Sequence, residues 1–327
     1  MSKNDWRPSC QLEMLQARAR LLARIRDFFE RRKVLEVETP LLAHATGTDP
    51  QLDFFATRFN YPPENPDLYL QTSPEFAMKR LLAAGSGSIY QICKAFRNSE
   101  LGRFHNPEFT ILEWYRVGFS LQQLMQEVSD LLAELLLPVR DLRKIAPMSY
   151  QELFSAATGL NPFEFELSRW QAYANENELQ DALTICQKDH ATWLDYLFSF
   201  KVQPQLGKNT ICLVYGYPAI QSSLARISEA NSNVAERFEV FIDGIELGNG
   251  FFELSDADEQ EKRFDKEILT RKMNNQIVVE KDQRFLSALR AGLPECSGVA
   301  IGLDRLLMLI TGKQSIDEVL AFSVMRA

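Results

Sequence analysis

No run in this 327-residue chain approaches the ~18 uninterrupted apolar residues of a membrane span, and the opening MSKNDWRPSCQLEMLQARARLL has no apolar core of a secretory leader. A cytoplasmic protein is expected. Cysteine is scarce: Cys10, Cys93, Cys186, Cys212 and Cys296 are odd in number, scattered and never in a CxxC pair, so neither a disulfide framework nor a zinc site is expected. Basic charge is not in excess. Lys and Arg total 36 against 44 Asp and Glu, a formal net charge of −8 that offers a polyanion no general attraction and argues against a protein that must hold a large RNA. A small-molecule or protein substrate gains weight. Repeats, low-complexity linkers and composition shifts are also missing, so a single domain over 1–327 is expected. What is there, 46% apolar and 24% charged residues, is the composition of an ordinary globular protein with a sizeable core.

The spacing of Leu12, Leu15, Leu22, Ile25 and Phe29 predicts an amphipathic helix over 11–32, with arginines on its other faces. A short strand over 34–37 follows, stopped by Thr39 and Pro40. The Pro-, Asn- and Asp-rich stretch 49–66 reads as surface turns. Next come a helix over 74–84 and strands over 89–97 and 109–116; a mainly helical segment at about 121–205 is broken at Pro138, Pro147, Gly159 and Pro162. Strands return near Ile211, and a last strand over 298–301 runs into a helix over 304–311 with Gly312 as terminator.

Three constellations carry chemistry. In FRNSELGRFHNPEFTILEWY, a strand beginning at Phe109 would put Phe109, Ile111, Glu113 and Tyr115 on one face, by the period of two. Such a face could bind an ammonium and stack a planar base, with Arg97, Arg103 and His105 near phosphate oxygens; a solvated surface hairpin is the alternative. In RFEVFIDGIELGNGFFEL, Asp243-Gly244 predicts a two-residue turn that pairs Ile242 with Ile245 and Phe241 with Glu246. Glu239 and Glu246 then share a sheet face. Two carboxylates so placed repel unless a cation lies between them, and Mg²⁺ with nucleotide phosphates suits oxygen ligands; two solvated glutamates are the plainer reading. A bulge at Gly248-Asn249-Gly250 would return Glu253 to the face of Glu246. In SGVAIGLDRLLMLITG, a helix N-terminus and Arg305 could form an anion site, and Gly298 and Gly302 would allow close approach to the backbone; an ordinary glycine-bearing entry to a helix is the alternative.

In this order the segments resemble the three signature motifs of class II aminoacyl-tRNA synthetases: the first helix with VLEVETPLL as motif 1, the 97–116 unit as motif 2 and the 298–312 segment as motif 3. HNPEFTILEWY and ELGNGFFELSDADEQ look specifically like the lysyl subgroup. The resemblance implies an α+β fold, an antiparallel sheet flanked by helices, with ATP and Mg²⁺ as cofactors. It implies that Arg97 and Arg305 are catalytic on the phosphates, and that Asn98, Ser99, His105, Asn106, Phe109, Glu246, Leu247 and Gly302 complete the ATP site, with Phe109 on adenine. It places magnesium on Glu239 and Glu246, and lysine or β-lysine among Ser73, Glu75, Glu113, Tyr115, Asn249, Glu253 and Ala300. Three acids around one substrate would favour a diamine over aspartate.

Lysyl-tRNA synthetases carry an anticodon-binding domain before motif 1, and here the motif 1 helix begins near the start of the chain. The truncated layout resembles the elongation factor P lysyl-lysine ligase family. That resemblance implies transfer of (R)-β-lysine to a lysine ε-amine of elongation factor P, with tRNA as acceptor disfavoured, no membrane partner and a homodimer through the motif 1 region. A truncated synthetase acting on tRNA, a non-catalytic paralogue and an asparagine synthetase-like amide ligase are the competing expectations. Two departures stand out. Ser99 replaces the glutamate usual after Arg-Asn, leaving Glu100 as a substitute, and Ala300 replaces a glycine, which would alter how the substrate's amino region sits.

Overall fold

The computed structural model describes residues 6–64 and 66–327, with backbone only at 143–146. In chain order the elements are α1 (Leu12–Arg31), β1 (Leu35–Glu36), β2 (Leu42–Ala43), β3 (Ala56–Arg58), β4 (Asp67–Leu70), α2 (Glu75–Ala83), β5 (Ile89–Phe96) and β6 (Glu108–Val117). Then come α3 (Leu121–Leu136), β7 (Arg143–Ser149), α4 (Tyr150–Thr158), α5 (Leu167–Glu176), α6 (Gln180–Cys186), α7 (His190–Leu197) and β8 (Thr210–Pro218). The chain finishes with β9 (Val234–Ile242), β10 (Ile245–Phe252), α8 (Ala257–Met273), α9 (Gln283–Gly292), β11 (Cys296–Gly302) and α10 (Leu303–Thr311). One eight-stranded sheet runs β1-β5-β6-β11-β10-β9-β8-β7, and β2-β4-β3 form a small second sheet. The α+β expectation holds with one refinement: the large sheet is antiparallel inside, while its edge strands β1 and β7 pair parallel with β5 and β8.

Period-two alternation gives the sheet two different faces. Leu112 and Trp114 of β6, Val299 and Ile301 of β11, and Phe238 and Val240 of β9 point into the main core, against α1, α3 and α10. Phe29 of α1 stacks on Tyr90 at 4.4 Å and meets Trp114 edge-on at 5.3 Å. Burying side chains of this size contributes about 1.5–3 kcal/mol each, so the sheet is braced chiefly from this side. The residues between them, Ile111, Glu113, Tyr115, Gly298, Ala300, Arg237 and Glu239, face the other way and line a cleft.

Three expectations need correction. The buried stripe of α1 is Leu21, Ile25, Phe28 and Phe29, with Met14 and Ala17 packed against the core at its start; Leu12 and Leu15 are exposed, on the side of the first turns that faces away from it. The 49–66 stretch holds β3, which pairs with β4. The helical segment is interrupted by β7, an edge strand that accommodates Pro147 because an edge leaves one row of backbone N–H groups unpaired. On one side of it α3 joins the main core; on the other, α4 to α7 build a separate cluster around Trp170 and Trp193 that packs on β8.

Candidate active site

Register turns four strands into two ranks of side chains. Glu113 of β6 lies opposite Ala300 of β11, Ala300 opposite Asn249 of β10, and Asn249 opposite Glu239 of β9. One rank over run Tyr115, Gly298, Phe251 and Arg237. Directly opposed residues point to the same face, so both ranks floor one cleft of about 1720 Å³. Acidic groups stand at both ends of it.

Two arginines line the cleft beyond the ends of β5 and β11. Arg305, in the first turn of α10, donates from Nη1 to the Glu246 carbonyl (2.7 Å) and from Nε to the Phe104 carbonyl (3.2 Å). Its Nη2 lies 2.6 Å from His105 Nε2. Arginine can only donate, so Nε2 accepts and the imidazole is neutral with its proton on Nδ1. Burial and the Arg305 charge both lower the His105 pKa, in agreement. The turn is anchored from below: Asp304, buried, takes Arg18 Nη2 at 2.5 Å and the Thr110 N–H at 2.7 Å. Across the cleft Arg97 follows β5, its guanidinium 5.1 Å from the centre of the Phe109 ring and 3.8 Å from Glu100. Its Nε is buried and, among the described residues, has no hydrogen-bond partner.

Glu100, not Asn98 or Ser99, lines the cleft here. Ser99 sits at φ 65°, a left-handed kink, and its N–H is taken by the Asn98 side chain at 2.9 Å. That kink turns both residues outward and brings Glu100 in. Asn106 does line the cleft, and its amide also ties down the C-terminal segment: its Nδ2 donates to the Glu108 carbonyl (2.6 Å) and its Oδ1 accepts from the Val324 N–H (3.0 Å).

The glutamate hairpin forms as its sequence requires. Asp243 and Gly244 both have positive φ, 52° and 75°, and Ile242 and Phe241 pair with Ile245 and Glu246. The bulge falls at Leu247, before the glycines, where the register steps from Glu246 opposite Phe241 to Gly248 opposite Val240. It has the expected consequence: Glu246, Asn249 and Glu253 all reach the cleft. The glycines serve a different end. A Cβ on Gly248 would strike the Ala300 carbonyl, and one on Gly250 the Phe238 ring, so both permit close packing across the sheet.

Sequence reasoning missed the cation that already answers Glu239. Arg237, two residues back on the same strand face, reaches Glu239 Oε1 at 2.5 Å and Asn249 Oδ1 at 3.1 Å, while the Tyr217 hydroxyl donates to Glu239 Oε2 at 2.5 Å. The i, i+2 spacing in RFE was the available signal. Burial pushes the Glu239 carboxyl up to about 7; Arg237 opposes the rise and Glu246 adds to it. Each Glu239 oxygen keeps a second lone pair, and Glu246 is half-buried on the cleft, so the pair suits a hard cation sharing its other ligands with phosphate oxygens. No larger group of metal-ligating side chains occurs among the described residues.

Farther along β6 Glu113 is buried, accepting from the Ser73 hydroxyl at 2.8 Å and the Tyr115 hydroxyl at 2.7 Å. Glu75 and Glu253 converge on a residue not anticipated: Lys79 Nζ lies 2.6 Å from each, and Lys79 is 1% exposed. Its clue was an i, i+4 Glu–Lys spacing in PEFAMK. Burial opposes the lysine's charge, but Glu253 and Glu75 outweigh it and hold its pKa above the usual range. Burial raises Glu113 to about 7, with Glu75 adding to the rise, and raises Glu253 to about 8. All three acids line the cleft as expected, and one of their negative charges is already answered by Lys79.

Gly298 lies between Tyr115 and Phe251, and a Cβ there would fall on the Tyr115 ring and on Glu253 Oε1. Gly298→Ala is expected to cost about 1–3 kcal/mol of stability by overpacking. Denaturant unfolding checks this; an unchanged midpoint would contradict the packing.

The family model described as tRNA synthetases class II (D, K and N) matches residues 4–326. Curated relatives in several bacteria have the name elongation factor P–(R)-β-lysine ligase. That of Pseudoalteromonas translucida is 48% identical over 329 residues, covering 100% of both chains. That of Pasteurella multocida is 46% identical over 327 residues and 99% of both, and that of Avibacterium paragallinarum 44% over 329 residues and 100% of both. No helix among the described residues is long and apolar enough to cross a membrane.

Proposed function

The chain belongs to the class II tRNA synthetase (D, K and N) family, and from that premise we propose that it activates (R)-β-lysine or lysine with ATP and passes the aminoacyl group to a lysine ε-amine of elongation factor P. The observation that carries the first step is that Glu113, a hydrogen-bonded buried acid, shares one cleft face with Ala300, Asn249 and Glu239, while Arg97 and Arg305 line the same cleft beyond the Phe109 end of β6 and the Gly302 end of β11. An amino acid whose ammonium meets Glu113 and Tyr115 points its carboxyl along β6 toward Phe109 and the arginines. The adenine ring stacks on Phe109, and His105 supports Arg305.

A carboxylate oxygen of the amino acid attacks the α-phosphorus, the bond to the bridging oxygen breaks, and pyrophosphate leaves. Arg97 stabilises charge on the α-phosphate, and Arg305 binds the departing end; alignment and fixed charge do the catalysis, without a covalent enzyme intermediate. Mg²⁺ held by Glu239 and Glu246 would neutralise phosphate charge. In the second step the acceptor amine attacks the acyl carbon, AMP leaves with the electrons of the broken anhydride bond, and the amine loses a proton to give the amide. Ala300 stands between Glu113 and Asn249, where its methyl shapes the seat of the substrate's amino-bearing carbons.

The acceptor is carried over from the names of the full-length relatives, and a protein acceptor also accords with the net charge of −8. The reading further includes one catalytic domain, a cytoplasmic location and a homodimer through the motif 1 region, where Leu12, Leu15, Leu35 and Leu42 are exposed. The test is pyrophosphate exchange with lysine, (R)-β-lysine and aspartate, followed by transfer to elongation factor P or bulk tRNA. Exchange with the diamines alone and label on the protein is expected. Label appearing only on tRNA would overturn the acceptor assignment.

A further inference from the structure

Lys79 takes no part in the chemistry just described. Its Nζ sits behind the pocket floor, off the cleft lining, in simultaneous contact with one carboxylate from α2 and one from the end of β10. We propose that Lys79 is the positioning residue that sets the charge of the amino-acid pocket, so that three carboxylates become electrically neutral when a substrate with two ammonium groups is bound. The inference rests on the activation reading above.

The count follows from the groups around it. Glu75 comes from α2, Glu253 from the end of β10, Glu113 and Tyr115 from β6 and Cys296 from β11; α9 contributes the uncharged Phe285 ring, 5.9 Å from Nζ. Lys79 is the one cation within this set. With the carboxylates ionised, the empty pocket carries two uncompensated negative charges, and a diammonium amino acid supplies two positive ones. A monoammonium amino acid leaves one carboxylate unanswered in a dry site, where an unpaired charge is costly. Before substrate arrives protons make up the shortfall, which accords with the raised Glu113 and Glu253. Binding therefore releases protons, and the amino-acid KM falls as pH rises through the neutral range. Lys79 also fixes where Glu75 and Glu253 point, because one ammonium holds both.

Lys79→Met keeps the side-chain length and removes the charge. The acids then hold their protons to higher pH, and the pH at which the KM for lysine or β-lysine falls should move up by about one unit or more. At neutral pH that gives a KM about 10- to 100-fold above wild type, while the ATP KM stays within about threefold. The double variant Lys79→Met/Glu75→Gln restores the balance and should bring the pH window back toward wild type, even with a weakened absolute KM. A merely structural lysine would move neither window. An unmoved window in Lys79→Met, or one that the double variant leaves displaced, overturns the proposal.

Unliganded protein gives a second reading. An acid whose folded pKa is raised makes the folded state bind more protons than the unfolded, so its stabilising effect is complete below the unfolded value and lost as pH rises through the folded one. The melting temperature of Lys79→Met should therefore fall more steeply than wild type between about pH 7 and 9. Parallel curves would count against Lys79. Failure of wild-type enzyme to exchange with any amino acid would instead overturn the activation reading, and the unliganded melting curves would still decide the role of Lys79.

Discussion

Arg97→Ala is expected to reduce amino-acid-dependent pyrophosphate exchange about 100- to 1,000-fold, the loss typical of removing one fixed donor from a developing negative charge. The two arginines of the cleft are not equivalent. Arg305 is committed to two backbone carbonyls and to His105, contacts that fix its direction and consume several of its donors. Arg97 has no such ties: its Nε is buried without a hydrogen-bond partner among the described residues, and Glu100 at 3.8 Å is its nearest acid. A desolvated donor left unmade costs about 1–3 kcal/mol, a cost that a phosphate oxygen would remove. Arg97→Lys should recover little, because a compact ammonium cannot present a planar fork to a phosphate. Saturation kinetics check this. The amino-acid KM should stay within about threefold while kcat falls, since Arg97 stands away from Glu113 and Tyr115. A variant that lost only amino-acid affinity would contradict the assignment.

Much of this site was legible because strand periodicity and turn chemistry are local. Asp243-Gly244 requires two positive φ angles, which fixes the pairing of β9 with β10 and hence the shared face of Glu239 and Glu246. The Glu113 and Tyr115 face follows from alternation alone. Partners supplied from elsewhere were not legible. Lys79 joins α2 to the end of β10 across a sequence separation that no local pattern encodes, although its spacing from Glu75 hinted at one half of the contact. Arg237 was hidden differently, as an ordinary strand residue whose role appears only once Asn249 and Tyr217 are placed beside Glu239. Asn106 lines the cleft in the loop that the resemblance gives to the nucleotide, and the second task of its amide, holding the C-terminal segment, was not legible. β7 escaped because Pro147 reads as a breaker until the strand is known to be an edge. The kink at Ser99 explains how Glu100 can stand in the cleft where the usual glutamate is absent, a consequence of backbone conformation rather than side-chain type.

Glu246→Gln is expected to abolish exchange, with a loss of about 1,000-fold or more, and to leave the fold intact. Amide and carboxylate have the same shape, so what the substitution removes is charge. The backbone carbonyl of Glu246, which holds Arg305 at 2.7 Å, is untouched. Glu239→Gln makes the informative contrast. Glu239 is bonded to Arg237 and Tyr217, and its neutralisation leaves a largely buried guanidinium without its countercharge. That change should cost stability, about 1–3 kcal/mol, as well as activity. The two variants thus separate a metal ligand from a structural acid that is also a ligand: loss of exchange with unchanged urea unfolding for Glu246→Gln, and loss of both for Glu239→Gln. Magnesium titration adds the decisive axis. If Glu246 binds the cation, the concentration for half-maximal exchange by residual Glu246→Gln activity should rise about tenfold or more, since one of only two protein carboxylates has lost its charge. Wild-type magnesium dependence with low activity would move Glu246 from the metal to a purely electrostatic role beside Arg305. Normal exchange would remove it from the site altogether.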